Sequence, residues 1–127
     1  MIVNLSQTPS LVSIYINELR DKTIQKDSLR FRYNLERISQ LLAYEVSKHF
    51  AYNEAQIETP LGEKKSVQLS ENIVVSSILR AGLPMHQGVL NMFDRAENSF
   101  ISAYRKHHKS GQFEIKLEYI SSPSIDG

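Results

Sequence analysis

Arg80 is the residue of this chain best placed to do chemistry, because of its setting in Ser76-Ser77-Ile78-Leu79-Arg80-Ala81-Gly82-Leu83-Pro84-Met85-His86-Gln87-Gly88-Val89-Leu90. The run from Ile73 to Leu79 is short, β-branched and uncharged, the composition of a strand buried on both faces of a parallel sheet. Arg80 interrupts it. Gly82 permits an unusual backbone angle or a close approach by a ligand, and Pro84 suits the start of a helix, so the pattern predicts a helix from about Leu83 through Val89, Leu90 and Phe93. A strand, a tight turn bearing one guanidinium and a helix N-terminus together make an anion site. Phosphates favour the free N–H groups of helix N-termini, and open α/β sheets hold ligands at the carboxyl ends of their strands. A phosphorylated ligand is expected here.

The other chemistry-bearing clusters are weaker. Arg105 stands among Arg105, Lys106, His107, His108 and Lys109, which unaided reads as a solvated basic loop tip. Arg80 has its own bland reading, as a loop arginine paired with a carboxylate. Of the four histidines, His107 and His108 are adjacent and would point to opposite faces of a strand, while His49 and His86 form no Glu-flanked pair at helical spacing. They read as surface or packing residues. Asp94 and Glu97 follow a helix C-terminus and are solvated rather than a general acid and base. Arg20, Lys22, Lys26, Arg30, Arg32 and Arg37 make a basic cluster, but Glu18, Asp21, Asp27 and Glu36 balance it. No aromatic residues are arranged as stacking platforms, so it reads as a wetted polar face with no nucleic acid expected.

These residues need elements to hold them. A first helix is predicted from about Ser10, its cap, to Arg20, with Leu11, Ile14 and Leu19 near one face. A polar link, Asp21 to Asp27, follows. In the second helix Phe31, Leu35, Ile38, Leu42 and Val46 keep a three-to-four spacing, with Asp27 or Ser28 as cap and an end near His49. Gln56 to Leu69 reads as a β-hairpin with Pro60, Gly62 and Lys64-Lys65 in its turn region. After the strand at Ile73 and the helix at Pro84, a strand is predicted from Phe100 to Tyr104. Phe113, Ile115, Leu117 and Tyr119 alternate with Glu114, Lys116 and Glu118 as a half-exposed strand does, with His107 to Gly111 joining the two. Gly88, inside a helix, is read as a packing position.

Composition narrows the class. A chain of 127 residues with 41% hydrophobic content suits one compact unit. A net charge of +1 exerts no global pull on nucleic acid, and no apolar run approaches the roughly 18 residues of a membrane helix. With no cysteine there is no disulfide framework, thiolate nucleophile or cysteine zinc site, and Met1 to Ser10 lacks a signal-peptide pattern. A cytoplasmic, soluble protein is the expectation.

The string Ile78-Leu79-Arg80-Ala81-Gly82-Leu83, then Gly88-Val89-Leu90, then Tyr104-Arg105, closely resembles uracil phosphoribosyltransferase, as does the helical lead-in Leu41-Leu42-Ala43-Tyr44-Glu45. Several blocks in one order over about residues 10 to 127 are far more specific than a lone arginine-glycine loop. The resemblance implies an α/β fold: the N-terminal portion of a type I phosphoribosyltransferase fold, with a parallel-sheet core, flanking helices and an antiparallel β-hairpin arm. Residues 10–50 would be the N-terminal helices and 73–127 the start of the core plus the arm, in a single partial domain. The family's acidic residue pair and its glycine- and threonine-rich ribose-phosphate loop have no counterpart within residues 1 to 127, nor does its uracil-binding region. The expected chain is therefore truncated, incomplete at its C-terminal side and inactive alone.

The chemistry so implied is transfer of ribose 5-phosphate from phosphoribosyl diphosphate to a uracil nitrogen, releasing diphosphate. Donors aimed at the leaving oxygens lower that barrier, with Mg²⁺ bound through phosphoribosyl diphosphate. Arg80 and Arg105 match the family's diphosphate-binding arginines, Ala81 and Gly82 would offer backbone groups to the same diphosphate, and Tyr104 would order the arm over the ligand. Related enzymes carry unusual peptide geometry in this loop, here expected at Arg80–Ala81. Uracil would bind only in the complete enzyme, GTP is an implied effector, and a homodimer or higher oligomer is expected. The rival reading is a noncatalytic diphosphate-binding or oligomerising homologue, and a third is a damaged gene product without function.

Overall fold

The computed structural model describes residues 2–107 and 113–124, and of Arg105, His107 and Phe113 the backbone alone. The segment 108–112, which holds most of the predicted connection between the last two strands, lies outside the described residues. The elements in order are α1 (Leu11–Arg20), a 3₁₀ turn (Ile24–Lys26), α2 (Ser28–Ser47), β1 (Tyr52–Thr59), β2 (Gly62–Leu69), β3 (Val74–Leu79), α3 (Leu83–Leu90), β4 (Glu97–His107) and β5 (Phe113–Ser121). Strands β1 and β2 form an antiparallel pair. A second sheet has the order β3-β4-β5, with β3 parallel to β4 and β4 antiparallel to β5.

Short polar side chains set the helix starts. Asp27 Oδ1 accepts from the N–H groups of Leu29 and Arg30 at 3.0 and 3.1 Å, which satisfies two of the donors that a helix N-terminus leaves unpaired. Asp21 Oδ1 accepts in the same way from Thr23 and Ile24, at 2.8 and 2.9 Å, and so turns the predicted polar link into the 3₁₀ turn. Ser10 stands at the N-cap of α1 as the pattern requires.

The buried faces differ from those read off the spacing. In α1 the buried and half-buried stripe is Val12, Tyr15, Ile16 and Leu19, while Leu11 and Ile14 are 57% and 52% exposed. In α2 Leu42 and Val46 are exposed, and the most enclosed residues are Asn34, Ser39 and Ala43. Small and polar positions of α2 are buried where α3 lies close against it at Ser39 and where α1 meets it through polar side chains. Gly88 of α3 shows the limit: a Cβ there would collide with Ser39 Oγ and the Glu36 carbonyl of α2. Ser39 Oγ meanwhile donates to that carbonyl at 2.8 Å.

The α1–α2 contact is polar. Asn34, 1% exposed, donates through Nδ2 to Glu18 Oε2 at 2.7 Å, and Arg30 Nη1 stands 3.3 Å from the same carboxylate. Arg37 donates to Asn34 Oδ1 at 3.4 Å and lies over the rings of Tyr15 and Tyr33, at 5.3 and 5.7 Å from their centroids. Two members of the basic cluster, Arg30 and Arg37, thus hold helices together.

The hairpin is longer than predicted and its turn is tighter. Pro60 and Leu61 form the loop, Thr59 Oγ1 donates to the Gly62 carbonyl at 2.6 Å, and Gly62 has φ 123°, a region that favours glycine. Lys64 and Lys65 lie in β2, opposite Ile57 and Gln56, not in the turn. Strand β3 is not covered on both faces: Val75 is buried at 8%, but Ile78 on the opposite face is 60% exposed, and among the described residues β3 pairs with β4 alone. Helix α3 ends at Leu90, before Phe93. Strand β4 extends well past both ends of the predicted segment, and its register with β5 slips between Ser102 and Ala103, leaving Glu118 as the extra residue of a bulge. On β5, Ile115, Leu117, Tyr119 and Ile120 are 59–67% exposed. No described helix is long and apolar enough to cross a membrane.

Two consequences are measurable. Alanine favours a helix interior over glycine by roughly 1 kcal/mol, but forcing a methyl into a closed contact costs about 1–3 kcal/mol, and here one wall is backbone. Gly88→Ala is expected to lower the urea midpoint, with Ser39→Ala relieving only part of the loss because the Glu36 carbonyl remains; a midpoint at or above wild type would remove this packing argument. The Asn34 amide, and then Arg30, hold the Glu18 carboxyl below its ordinary range, as the Ile24 and Thr23 N–H groups do for Asp21. A carboxyl depressed in the folded state stabilises above its ordinary pKa and loses that contribution as pH falls through the folded value. Glu18→Gln should therefore be less stable than wild type at neutral pH and lose less stability on acidification below about pH 4.5. Parallel curves of midpoint against pH for the two proteins would contradict it.

Candidate functional site

The strand–turn–helix stretch folds as its residue types require. β3 ends at Leu79, the turn is Arg80-Ala81-Gly82, and α3 begins at Leu83 with Pro84 in its first turn. Gly82 caps the helix with φ −71° and ψ −15°, an ordinary conformation open to any residue. Its lack of a side chain serves a close approach instead: a Cβ would stand 2.9 Å from the Ile78 carbonyl oxygen and 3.0 Å from Ser77 Cβ. The approaching group is the chain's own β3. The unusual peptide is the cis bond Leu79–Arg80, one bond before the position named from sequence.

The backbone groups of the turn are partly spoken for. Gly82 N–H donates to the Ile78 carbonyl at 3.1 Å, Leu83 N–H to the Arg80 carbonyl at 3.2 Å, and His86 N–H to the Gly82 carbonyl at 2.9 Å. The Ala81 N–H has no partner among the described residues. Gly82 therefore contributes room rather than a free donor. Arg80 is exposed and has no hydrogen-bond or ion-pair partner among the described residues.

Parallel pairing brings the second arginine to the same end of the sheet. Leu79 pairs with Ser102, so Arg80 leaves β3 where β4 continues for another turn of pleat toward Tyr104 and Arg105. At about 3.3 Å per residue, the Arg105 backbone lies roughly 10 Å beyond Ser102 along β4. Tyr104 is 42% exposed and pairs with Lys116, and Arg105 pairs with Ile115 on β5. The turn and the Tyr104-Arg105 segment thus share the carboxyl end of one parallel strand pair, the place where open α/β sheets bind ligands. Among the described residues no group of three or more His, Asp or Glu side chains converges as a metal centre.

Clefts elsewhere have other linings. One of about 330 Å³ lies beside the first turn of α3, between Leu83, Pro84 and Tyr33 of α2. Another of about 430 Å³ lies at the opposite end of the sheet, under Ile73 and Phe93. Asp94 and Glu97 border that second cleft and are both exposed. Sequence reasoning missed the partner of His86, which is Asn98 on β4. A buried histidine facing a strand asparagine leaves no periodic signal, since the two meet only through the crossover.

The family model for uracil phosphoribosyltransferase matches residues 6–122. A uracil phosphoribosyltransferase from Porphyromonas gingivalis is 46% identical over 124 residues, covering 98% of this chain and 57% of that protein. One from Pyrococcus furiosus is 32% identical over 126 residues, covering 98% of this chain and 52% of its own length. Among solved structures, the AQ2163 protein from Aquifex aeolicus superposes with a TM-score of 0.78 at 28% identity, over all of this chain and 58% of that one. The chain spans little more than half the length of the relatives it matches. Its fold is mixed α/β of the phosphoribosyltransferase kind, and the chain belongs to the uracil phosphoribosyltransferase family.

Proposed function

We propose that this chain carries the diphosphate-binding part of a uracil phosphoribosyltransferase, which joins uracil and phosphoribosyl diphosphate into UMP and diphosphate. The observation that carries the reading is Arg80: an exposed guanidinium without a protein partner among the described residues, at the carboxyl end of a parallel strand and one turn from a helix N-terminus. The departing diphosphate gains charge as the ribose carbon loses its bond to oxygen. A guanidinium stays charged and meets phosphate oxygens in pairs, so its contact strengthens in the transition state. Ala81 N–H supplies a second donor, Gly82 keeps the loop close to β3, and Arg105, with Tyr104 beside it, closes on the ligand from β4. Mg²⁺ would arrive with phosphoribosyl diphosphate and offset charge on the departing diphosphate.

Two finer points belong to the same reading. Association with a second copy is supported by the exposed Ile115, Leu117 and Ile120, whose β4 partners Arg105, Ala103 and Ile101 place them on one face of the sheet. A GTP effector would have to use Arg20, Lys22, Lys26 or Arg32, because Arg30 and Arg37 are engaged between α1 and α2.

A charge-assisted contact of this kind contributes about 1.5–3 kcal/mol, or roughly ten- to hundredfold in affinity. Calorimetric titration of the chain with phosphoribosyl diphosphate should show Arg80→Ala binding weaker by that factor and Arg105→Ala by less. Equal affinity of Arg80→Ala and wild type would sink the assignment. UMP formation by the longest product of the reading frame identifies the enzyme; diphosphate binding without UMP from that same product identifies the noncatalytic homologue.

A further inference from the structure

His86 is an unexpected filler for the inner face of α3. It is 6% exposed, its ring stacks on Phe100 at 4.7 Å between centroids with 29° between planes, and its Nδ1 is buried with no hydrogen-bond partner among the described residues. Leucine or methionine would fill that space without leaving a polar atom unpaired. What histidine adds is Nε2, which lies 2.7 Å from Asn98 Oδ1 on β4. An amide oxygen only accepts, so Nε2 carries the proton and donates. The backbone of the same residue reaches the other way, donating to the Gly82 carbonyl at 2.9 Å, while Gly82 N–H donates to Ile78 at 3.1 Å. Asn98 and Phe100 pair with Val75 and Ser77 of β3, so the ring lies across the middle of the parallel pair.

We infer that His86 is a positioning residue for the Arg80–Gly82 turn: its side chain fastens the first turn of α3 to β4, and its main chain holds the Gly82 carbonyl from that anchored helix. The turn carrying Arg80 and the Ala81 N–H is thereby fixed relative to β4, the strand that bears Arg105. Removing the Asn98 bond frees the turn locally and leaves β4 in place. The consequence for diphosphate binding rests on the function proposed above, whereas the link between His86 and the turn does not.

The test is backbone amide hydrogen exchange in the 127-residue chain, read by NMR, alongside diphosphate titration. His86→Leu should speed exchange at Gly82 and at residue 86 at least tenfold relative to Ser99 and Ile101 on β4, and weaken diphosphate binding severalfold. His86→Gln, which keeps a donor near the Nε2 position, should restore most of both. Should His86→Leu not fold, Asn98→Ala removes the acceptor from an exposed position and should give the same local pattern. Exchange that rises equally at every amide, or not at all at Gly82, overturns the inference by making His86 a plain core residue. If the turn loosens as described but wild type binds no diphosphate, the functional reading falls and the positioning role stands. If Arg80→Ala abolishes binding while neither His86→Leu nor Asn98→Ala disturbs the turn, the reverse holds.

Discussion

Helix α3 can lie against α2 only because Gly88 has no side chain. The space a Cβ would need is taken by Ser39 Oγ and by the Glu36 carbonyl, and Ser39 is itself turned onto that carbonyl by a hydrogen bond. Interiors are packed to near crystal density, so a contact this close fixes the helix rather than merely favouring it. The position of α3 then sets where its N-terminus stands, and the N-terminus carries the turn with Arg80. A second close approach, of Gly82 to β3, brings the turn down onto the strand it leaves. Two glycines, one against a helix and one against a strand, thus locate the exposed guanidinium.

α2 is the hub of this arrangement, and it works through polar chemistry on one side and small residues on the other. Toward α1 it presents Asn34, bonded to Glu18, and Arg37, stacked between Tyr15 and Tyr33. Each group in that network has a partner, which is the condition under which buried polar atoms stabilise rather than penalise a fold. Toward α3 it presents Ser39. Apolar side chains such as Leu42 and Val46 stay exposed on α2, and Ile78 and the β5 residues stay exposed on the sheet. The chain therefore carries apolar surface on several sides. Exposed apolar area of this extent is what interfaces with further protein are made of.

The site divides its work between side chain and backbone in a way that follows from satisfied hydrogen bonds. Gly82, Leu83 and His86 spend their N–H groups holding the turn in shape. Left without a partner among the described residues are the Arg80 guanidinium and the Ala81 N–H, one full charge and one dipole. Rigid scaffolding with a small number of outward donors is how a polyanion is stabilised without paying for reorganisation when charge develops. Parallel pairing of β3 with β4 does the rest by carrying Tyr104 and Arg105 past the same end of the sheet.

Local chemistry was legible in the residues: Asp27 as a cap, Pro84 at the start of a helix, β5 as a strand although its alternation breaks at Glu118 and its described side chains are all exposed, and the Ile-Leu-Arg-Ala-Gly string with its family resemblance. Caps, turns and alternation depend on neighbours within a few positions, so one sequence determines them. The faces were not legible. The α1 stripe of Val12, Tyr15, Ile16 and Leu19 competes with the stripe through Leu11, Ile14 and Leu19, and only the approach of α2 decides between them. Gly82 was open to a ligand or to an unusual φ, and tertiary packing made it a contact with Ile78 and Ser77. The bond from His86 to Asn98 spans a crossover that no spacing rule describes. The sequence by itself determined that an arginine would stand between a strand and a helix N-terminus, and what local chemistry would cap and turn the chain there. Only the tertiary structure decided which donors stay free and which glycine admits which neighbour, because those outcomes depend on distances between segments far apart in the chain.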